Sequence, residues 1–144
     1  MGKIERYEDL RCWQQARVLV NDIFDLVDIL QDEKEFALAD QLKRASISVM
    51  TNIAEGFNRY HKRDFIRFLD YSQSSAQEVK SLLYIIKDRK MMDASRVNGL
   101  QKQCDYCQAL TLALLKRIRE SINKHSSKTK EPATHYVAED FTTN

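Results

Sequence analysis

The sequence predicts an all-α fold: an antiparallel up-down four-helix bundle that assembles as a homo-oligomer. Three observations lead there. Only three Gly and one Pro occur in 144 residues, where average usage gives roughly ten and seven. The many turns of a sandwich or barrel therefore have little to be built from. Hydrophobic residues make up 43% of the chain and recur at 3-4 spacing, which is the period of a helix face. The links between periodic segments are short, so successive helices should be antiparallel neighbours.

The first helix is expected from about Asp9 to Gln31. Trp13, Ala16, Val20, Ile23, Val27 and Leu30 form its seam, Leu19 and Leu26 widen it, and Asp9 is the expected N-cap. The second runs from about Phe36 to Asn58 and carries two stripes. Leu38, Leu42, Ala45, Val49, Asn52 and Gly56 form one; Ile47, Met50, Ala54 and Phe57 form the other. A helix with two apolar faces must bury both, either in a groove between helices or against a neighbouring subunit. Gly56 lets a partner helix approach closely or ends the helix.

The third helix is expected from about Arg63 to Lys90, with Phe65, Phe68, Leu69, Ser72, Ala76, Val79, Leu83 and Ile86 as its seam. The small face of this helix and the second stripe of helix two are the expected subunit contact. The fourth runs from about Asp93 to Lys124, with Val97, Leu100, Cys104, Cys107, Thr111, Leu114, Ile118 and Ser121 inward. Residues 1–125 thus form the bundle domain. Residues 126–144 are polar, aperiodic and contain the single Pro, and read as a flexible tail.

The net charge of +2 says little, but its distribution is uneven. Residues 1–40 carry five basic and ten acidic side chains. Residues 41–67 carry six basic against two acidic, and residues 116–130 six against one. The candidate nucleic-acid-binding residues come from the first basic stretch: Lys43, Arg44, Arg59, Lys62, Arg63 and Arg67. Such side chains neutralise phosphates, and Tyr60, interleaved among them with His61, has a ring able to stack on a base. A solvated charged face is the alternative. The second basic run lies near the end of helix four, where cations also suit the helix dipole.

Enzyme chemistry finds no foothold, and no catalytic residue, metal or cofactor is expected. None of the Glu residues is followed three positions later by His, so the di-metal site of some bundles is missing its ligands. Phosphate-cradling glycine loops and the common hydrolase and metalloprotease motifs are absent. Cys104 and Cys107 form a C-x-x-C, but both fall on the helix-four seam and read as small core residues. Three cysteines suit a reducing compartment. No apolar run reaches ~18 residues, and residues 1–6 lack a signal-peptide apolar stretch. The expected location is the cytoplasm, with no membrane partner.

Asn52, Glu55 and Gly56 form a structural motif. Asn52 on an apolar stripe needs hydrogen-bond partners, and Glu55 stands four residues before Arg59, a favourable pairing if the helix continues. Together with Tyr7-Glu8-Asp9-Leu10, Trp13-Gln14-Gln15-Ala16, Glu35-Phe36-Ala37-Leu38, Gln41-Leu42-Lys43-Arg44-Ala45, Ser48, Phe65, Phe68-Leu69, Ser75 and Glu78, these residues carry a resemblance. Over about residues 7–120 the chain resembles the four-helix-bundle proteins encoded in intervening sequences of bacterial 23S ribosomal RNA genes. The accessory variability proteins of diversity-generating retroelements belong to the same group. The resemblance implies a bacterial, cytoplasmic, homopentameric ring that binds RNA or DNA through a basic surface and has no known catalytic activity. In the retroelement relatives the partner includes a reverse transcriptase, so a scaffold for another polypeptide is the alternative function. Asn52, Glu55, Gly56 and Arg59 match the group's most recognisable motif, and Lys43, Arg44 and Arg59 match basic positions. Ser72 and Ser74 replace an Ala and a Gly of the usual pattern, which alters packing of the third helix.

Overall fold

The seams turn inward as their spacing requires, and they generate four helices. The computed structural model describes residues 3–128. A short 3-10 turn at Tyr7–Asp9 leads into α1 (Arg11–Asp32), followed by α2 (Phe36–Phe57), α3 (Lys62–Asp88) and α4 (Ala94–Lys128). Each helix packs on the next and α4 returns to α1, with no diagonal pair in contact among the described residues. All the seam residues of α1 and α4 are buried, and on α3 only Phe68 is partly exposed. The buried hydroxyls of Ser46, Thr111 and Ser121 donate to carbonyls three or four residues back on their own helices, which satisfies their protons within the helix.

Four expectations need correction. Asp9 does not cap α1: it closes the 3-10 turn, and Leu10, in extended conformation, flanks the helix. α4 runs on through 126–128, part of the expected tail, where the hydroxyls of Ser126 and Ser127 donate back to Ile122 and Lys124. The rest of that expected tail, 129–144, lies outside the described residues. The second stripe of α2, Ile47, Met50, Ala54 and Phe57, is partly covered by its own chain. Met50, Ala54 and Phe57 are half-buried against the core of their own chain, and the segment carrying Ile4 and Tyr7 packs on the same core and touches α2. The small residues of α3 are also used internally. Buried Ser72 donates to the Val49 carbonyl at 2.7 Å, and Ser75 to Ser48 Oγ at 2.9 Å. Ser72 thereby anchors α3 to the backbone of α2, where an Ala would only fill space.

α1 and α3 end the same way. Lys34 (φ 63°) and Lys90 (φ 54°) adopt the left-handed conformation. The amides of Lys34 and Glu35 bond the carbonyls of Gln31 and Leu30, and those of Lys90 and Met91 bond Lys87 and Ile86. Both are Schellman stops with Lys where Gly is usual. Gly56 plays no such part. It lies inside α2 with negative φ, and a Cβ there would sit 2.7 Å from both Phe65 Cδ2 and Phe68 Cβ. It is a close-approach glycine that brings α2 onto α3. Gly56→Ala should therefore overpack this crossing and destabilise the fold by about 1–3 kcal/mol, read as a lower urea midpoint with unchanged slope.

Candidate nucleic-acid interface

The closeness of α2 and α3 at Gly56 forces a short turn, 58–61, at one end of the bundle. The turn is tied from several sides. The Arg59 amide bonds the Gly56 carbonyl at 3.1 Å, and the Arg59 guanidinium lies 4.6 Å over the Phe68 ring. Phe57 and Phe65 meet edge to face at 6.1 Å beneath it. Lys62 Nζ donates to Ser121 Oγ at 2.7 Å, which joins the start of α3 to the late turns of α4. The expected Glu55–Arg59 ion pair does not form. α2 ends at Phe57, so the four-residue spacing no longer places the two side chains on one helix face, and Arg59 goes to the ring instead. Asn52 finds its partners: Nδ2 donates to the Ser48 carbonyl and hydroxyl, both at 2.8 Å. With Ser75 this makes an Asn52–Ser48–Ser75 network that fixes the α2–α3 register.

The six candidate basic residues divide. Arg59, Lys62, Arg63 and Arg67 stand together at the α2–α3 end. Lys43 lies fourteen residues before Phe57 on the same helix, about 21 Å along its axis at 1.5 Å per residue. Its Nζ sits 5.2 Å over the Phe24 ring, and Arg44 pairs with Asp40 at 2.9 Å. Lys43 and Arg44 therefore do not extend the cluster. Within it, Arg67 reaches Asp64 at 3.6 Å, an exposed pair worth little to stability. Arg63 is exposed.

The second basic run joins this end. Because α4 runs antiparallel to α3, Lys116, Arg117, Arg119, Lys124 and Lys128 arrive beside the residues that open α3. Arg119 approaches Asp70 at 4.0 Å. Past Ser121, α4 continues seven residues, about 10 Å, and Asn123 to Lys128 are all exposed. Nine basic side chains (Arg59, Lys62, Arg63, Arg67, Lys116, Arg117, Arg119, Lys124, Lys128) thus face four acidic ones (Glu55, Asp64, Asp70, Glu120) at one pole. The N-terminal turn at the same end is balanced, with Lys3, Arg6 and Arg11 against Glu5, Glu8 and Asp9. Sequence reasoning left the α4 cations out of the site. The signal was available: antiparallel order alone puts the end of helix four beside the start of helix three.

The helix dipole separates the cations by cause. Lys124 and Lys128 lie at a C-terminus, where positive charge is stabilising. Lys62 and Arg63 open α3, where it is unfavourable by roughly 0.3–1 kcal/mol each. Helix stability does not explain them, and their charges add to the positive end of the dipole.

With this geometry in place, comparison gives the family. The model of the 23S rRNA-intervening sequence protein family matches residues 8–113. The chain belongs to that family. The match contains the network of Asn52, Gly56 and the α2–α3 turn, and it stops before most of the α4 cations. Among solved structures, a protein of unknown function from the S23 ribosomal protein family of Bacteroides thetaiotaomicron is similar at 20% identity. The similarity covers 73% of this chain and 98% of that one, with a TM-score of 0.70, and supports the same fold. No curated protein matches the chain.

The cysteines of this family member meet in the core and not at the pole. Burial raises the thiols of Cys12 and Cys104 to about 12 and that of Cys107 to about 11, above the ordinary value near 8.5. A nucleophile or metal ligand needs the opposite shift. Among the described residues no group of His, Cys, Asp and Glu is placed to hold a metal, and no helix is long and apolar enough to cross a membrane. The folded chain holds these thiol protons to higher pH than the unfolded chain does. The stability linked to them is complete below about pH 8.5 and is lost as pH rises through about 11 to 12. Melting temperature should fall between pH 9 and 12, and more gently after Cys12→Ala with Cys107→Ala. Thiol reagents at pH 8 should label the protein only after denaturant is added.

Proposed function

We propose that this protein is a non-catalytic, cytoplasmic nucleic-acid-binding bundle whose basic pole neutralises phosphates of RNA or DNA. The observation that carries the reading is the juxtaposition at one end of two cation runs separated by about fifty residues, with Lys62 and Arg63 placed against their own helix dipole. The family's name, which refers to 23S rRNA intervening sequences, supports the same reading. Each phosphate contact steepens the fall of log K with log salt by about 0.7 for single strands and 0.9 for duplex. Binding to RNA should therefore be measurable at ~50 mM salt and weaken steeply by ~200 mM. Arg63→Glu with Lys124→Glu should weaken it by more than about tenfold, while Lys43→Glu with Arg44→Glu should change it little. Fluorescence anisotropy across a salt series reads both. Absence of binding to structured RNA and duplex DNA at ~50 mM salt would overturn the reading in favour of a polypeptide partner such as a reverse transcriptase.

We also propose self-association, to a pentamer as the family resemblance implies. A ring would repeat the pole and multiply weak contacts. The second stripe of α2 is half-covered within the chain, with Ile47, Met50, Ala54 and Phe57 each partly exposed. The outer faces of α3 and α4 leave Tyr71, Tyr84, Ile85, Tyr106 and Leu112 more exposed, and these suit the subunit contact. Sedimentation velocity at micromolar concentration should give an oligomer, which Tyr71→Glu with Ile85→Glu should shift toward the single chain. A monomer without substitution would remove this part.

A further inference from the structure

The last stretch of α4 stands clear of the bundle. Ile122 is the last residue of this helix packed on the core, and Asn123 to Lys128 are all exposed. Successive helix residues are turned by about 100°, so six in a row look out in every direction, and no face of this stretch is buried. The hydroxyls of Ser126 and Ser127 are turned back onto carbonyls of their own helix. Asn123 stands one turn past Arg119, on the side of α4 away from the core, because Ile118 and Ser121 are buried on the opposite side. Lys124 and Lys128 lie about 100–140° round the axis from Asn123, on one flank. Arg119, which approaches Asp70 of α3, lies on the other. The projecting end therefore presents one neutral amide outward, with cations to either side.

From this arrangement we infer that the end of α4 enters the major groove of duplex B-form DNA, with Asn123 toward the base edges and Lys124 and Lys128 on the bordering phosphates. The inference rests on the nucleic-acid reading above and narrows it. Size decides the class of ligand. A helix with its side chains is about 10–12 Å across, and the major groove of B-form DNA is about 12 Å wide and 8.5 Å deep. The stretch past Ser121 is seven residues, about 10 Å, so it reaches the groove floor. The major groove of duplex RNA is too deep and narrow for side chains to read, and a single strand has no groove. Charge permits the approach. A helix C-terminus carries the equivalent of roughly half a negative charge, which two lysines on the last two turns more than reverse. Asparagine is also the side chain whose amide pairs with N6 and N7 of adenine in that groove. Behind the projecting end, Arg63 and Arg67 of α3 and Lys116 of α4 are exposed and meet the backbone outside the groove.

The test uses the full chain with three duplexes of one mixed sequence, about 20 base pairs or two helical turns long: DNA, the same DNA with 7-deaza-adenine for adenine, and RNA. A structured RNA serves as the fourth probe. The unsubstituted protein should bind the DNA duplex about fivefold or more tighter than the RNA duplex at equal salt. The 7-deaza base removes the N7 acceptor from the major groove and leaves base pairing intact, and it should weaken binding by about five- to a hundredfold. Asn123→Ala should lose as much on the ordinary DNA duplex, become indifferent to the 7-deaza base, and bind the RNA duplex within about twofold of the unsubstituted protein. An unchanged melting temperature shows that the alanine variant is folded. Equal binding of DNA and RNA duplexes, indifference of the unsubstituted protein to the 7-deaza base, or an alanine variant that loses nothing on DNA would overturn the groove placement and leave the phosphate reading intact. Binding of the structured RNA without binding of any duplex would do the same. No binding of any of the four probes would overturn both.

Discussion

The crossing of α2 and α3 at Gly56 is the constraint on which the rest of the molecule depends. With only a hydrogen in place of a side chain, Phe65 and Phe68 close onto α2. That closeness shortens the link to 58–61, gives Arg59 an aromatic surface to rest on, and brings Ser72 and Ser75 within hydrogen-bond reach of Val49 and Ser48. A wider crossing would loosen all of these together. They share one contact, and cores respond to changes as small as a methyl group. The fold at this end is therefore coupled: backbone approach, buried polar network and the placement of the basic turn are consequences of the same small residue.

Charge in this protein is organised by topology more than by amount. The total is near neutral, and exposed ion pairs such as Arg44–Asp40 remove several cations from play. What remains is concentrated because an antiparallel bundle brings the start of its third helix beside the end of its fourth. The opposite end is nearly balanced, with Asp28, Asp32, Glu33, Glu35, Asp40, Asp88 and Asp93 against Lys34, Arg44, Lys87, Arg89, Lys90 and Arg96, so the excess positive charge sits at one end of the long axis. A field of that shape orients a protein before contact and speeds encounter with a polyanion at low ionic strength.

Much of this was readable beforehand, and the exceptions share a cause. Helix positions, the inward stripes and the core placement of Cys104 and Cys107 follow from 3-4 spacing, which is a local property. The Asn52 and Gly56 motif was legible as a packing element because a polar amide and a glycine on an apolar stripe each demand a reason. Spacing could not say how far α2 continues, and so the Glu55–Arg59 pairing failed when the helix stopped two residues short of Arg59. Nor could it say that the segment bearing Ile4 and Tyr7 packs on the core and touches α2, since that contact joins elements far apart in the chain. The site was half legible for the same reason: one sequence cluster was visible, and its spatial partner on α4 needed the topology.

The two left-handed lysines have a practical meaning. Both Schellman stops, at Lys34 and Lys90, close links at the end of the bundle remote from the cationic turn, and α3 alone spans 27 residues, about 40 Å, between the two ends. The left-handed lysines set the course of both links, and the second also packs Met91 and Met92 on the core. A fluorophore or surface tether attached within 33–35 or at 89–90, which are exposed, would leave the opposite end unobstructed. The molecule thus offers a natural handle for immobilisation, with its cationic turn directed away from the support.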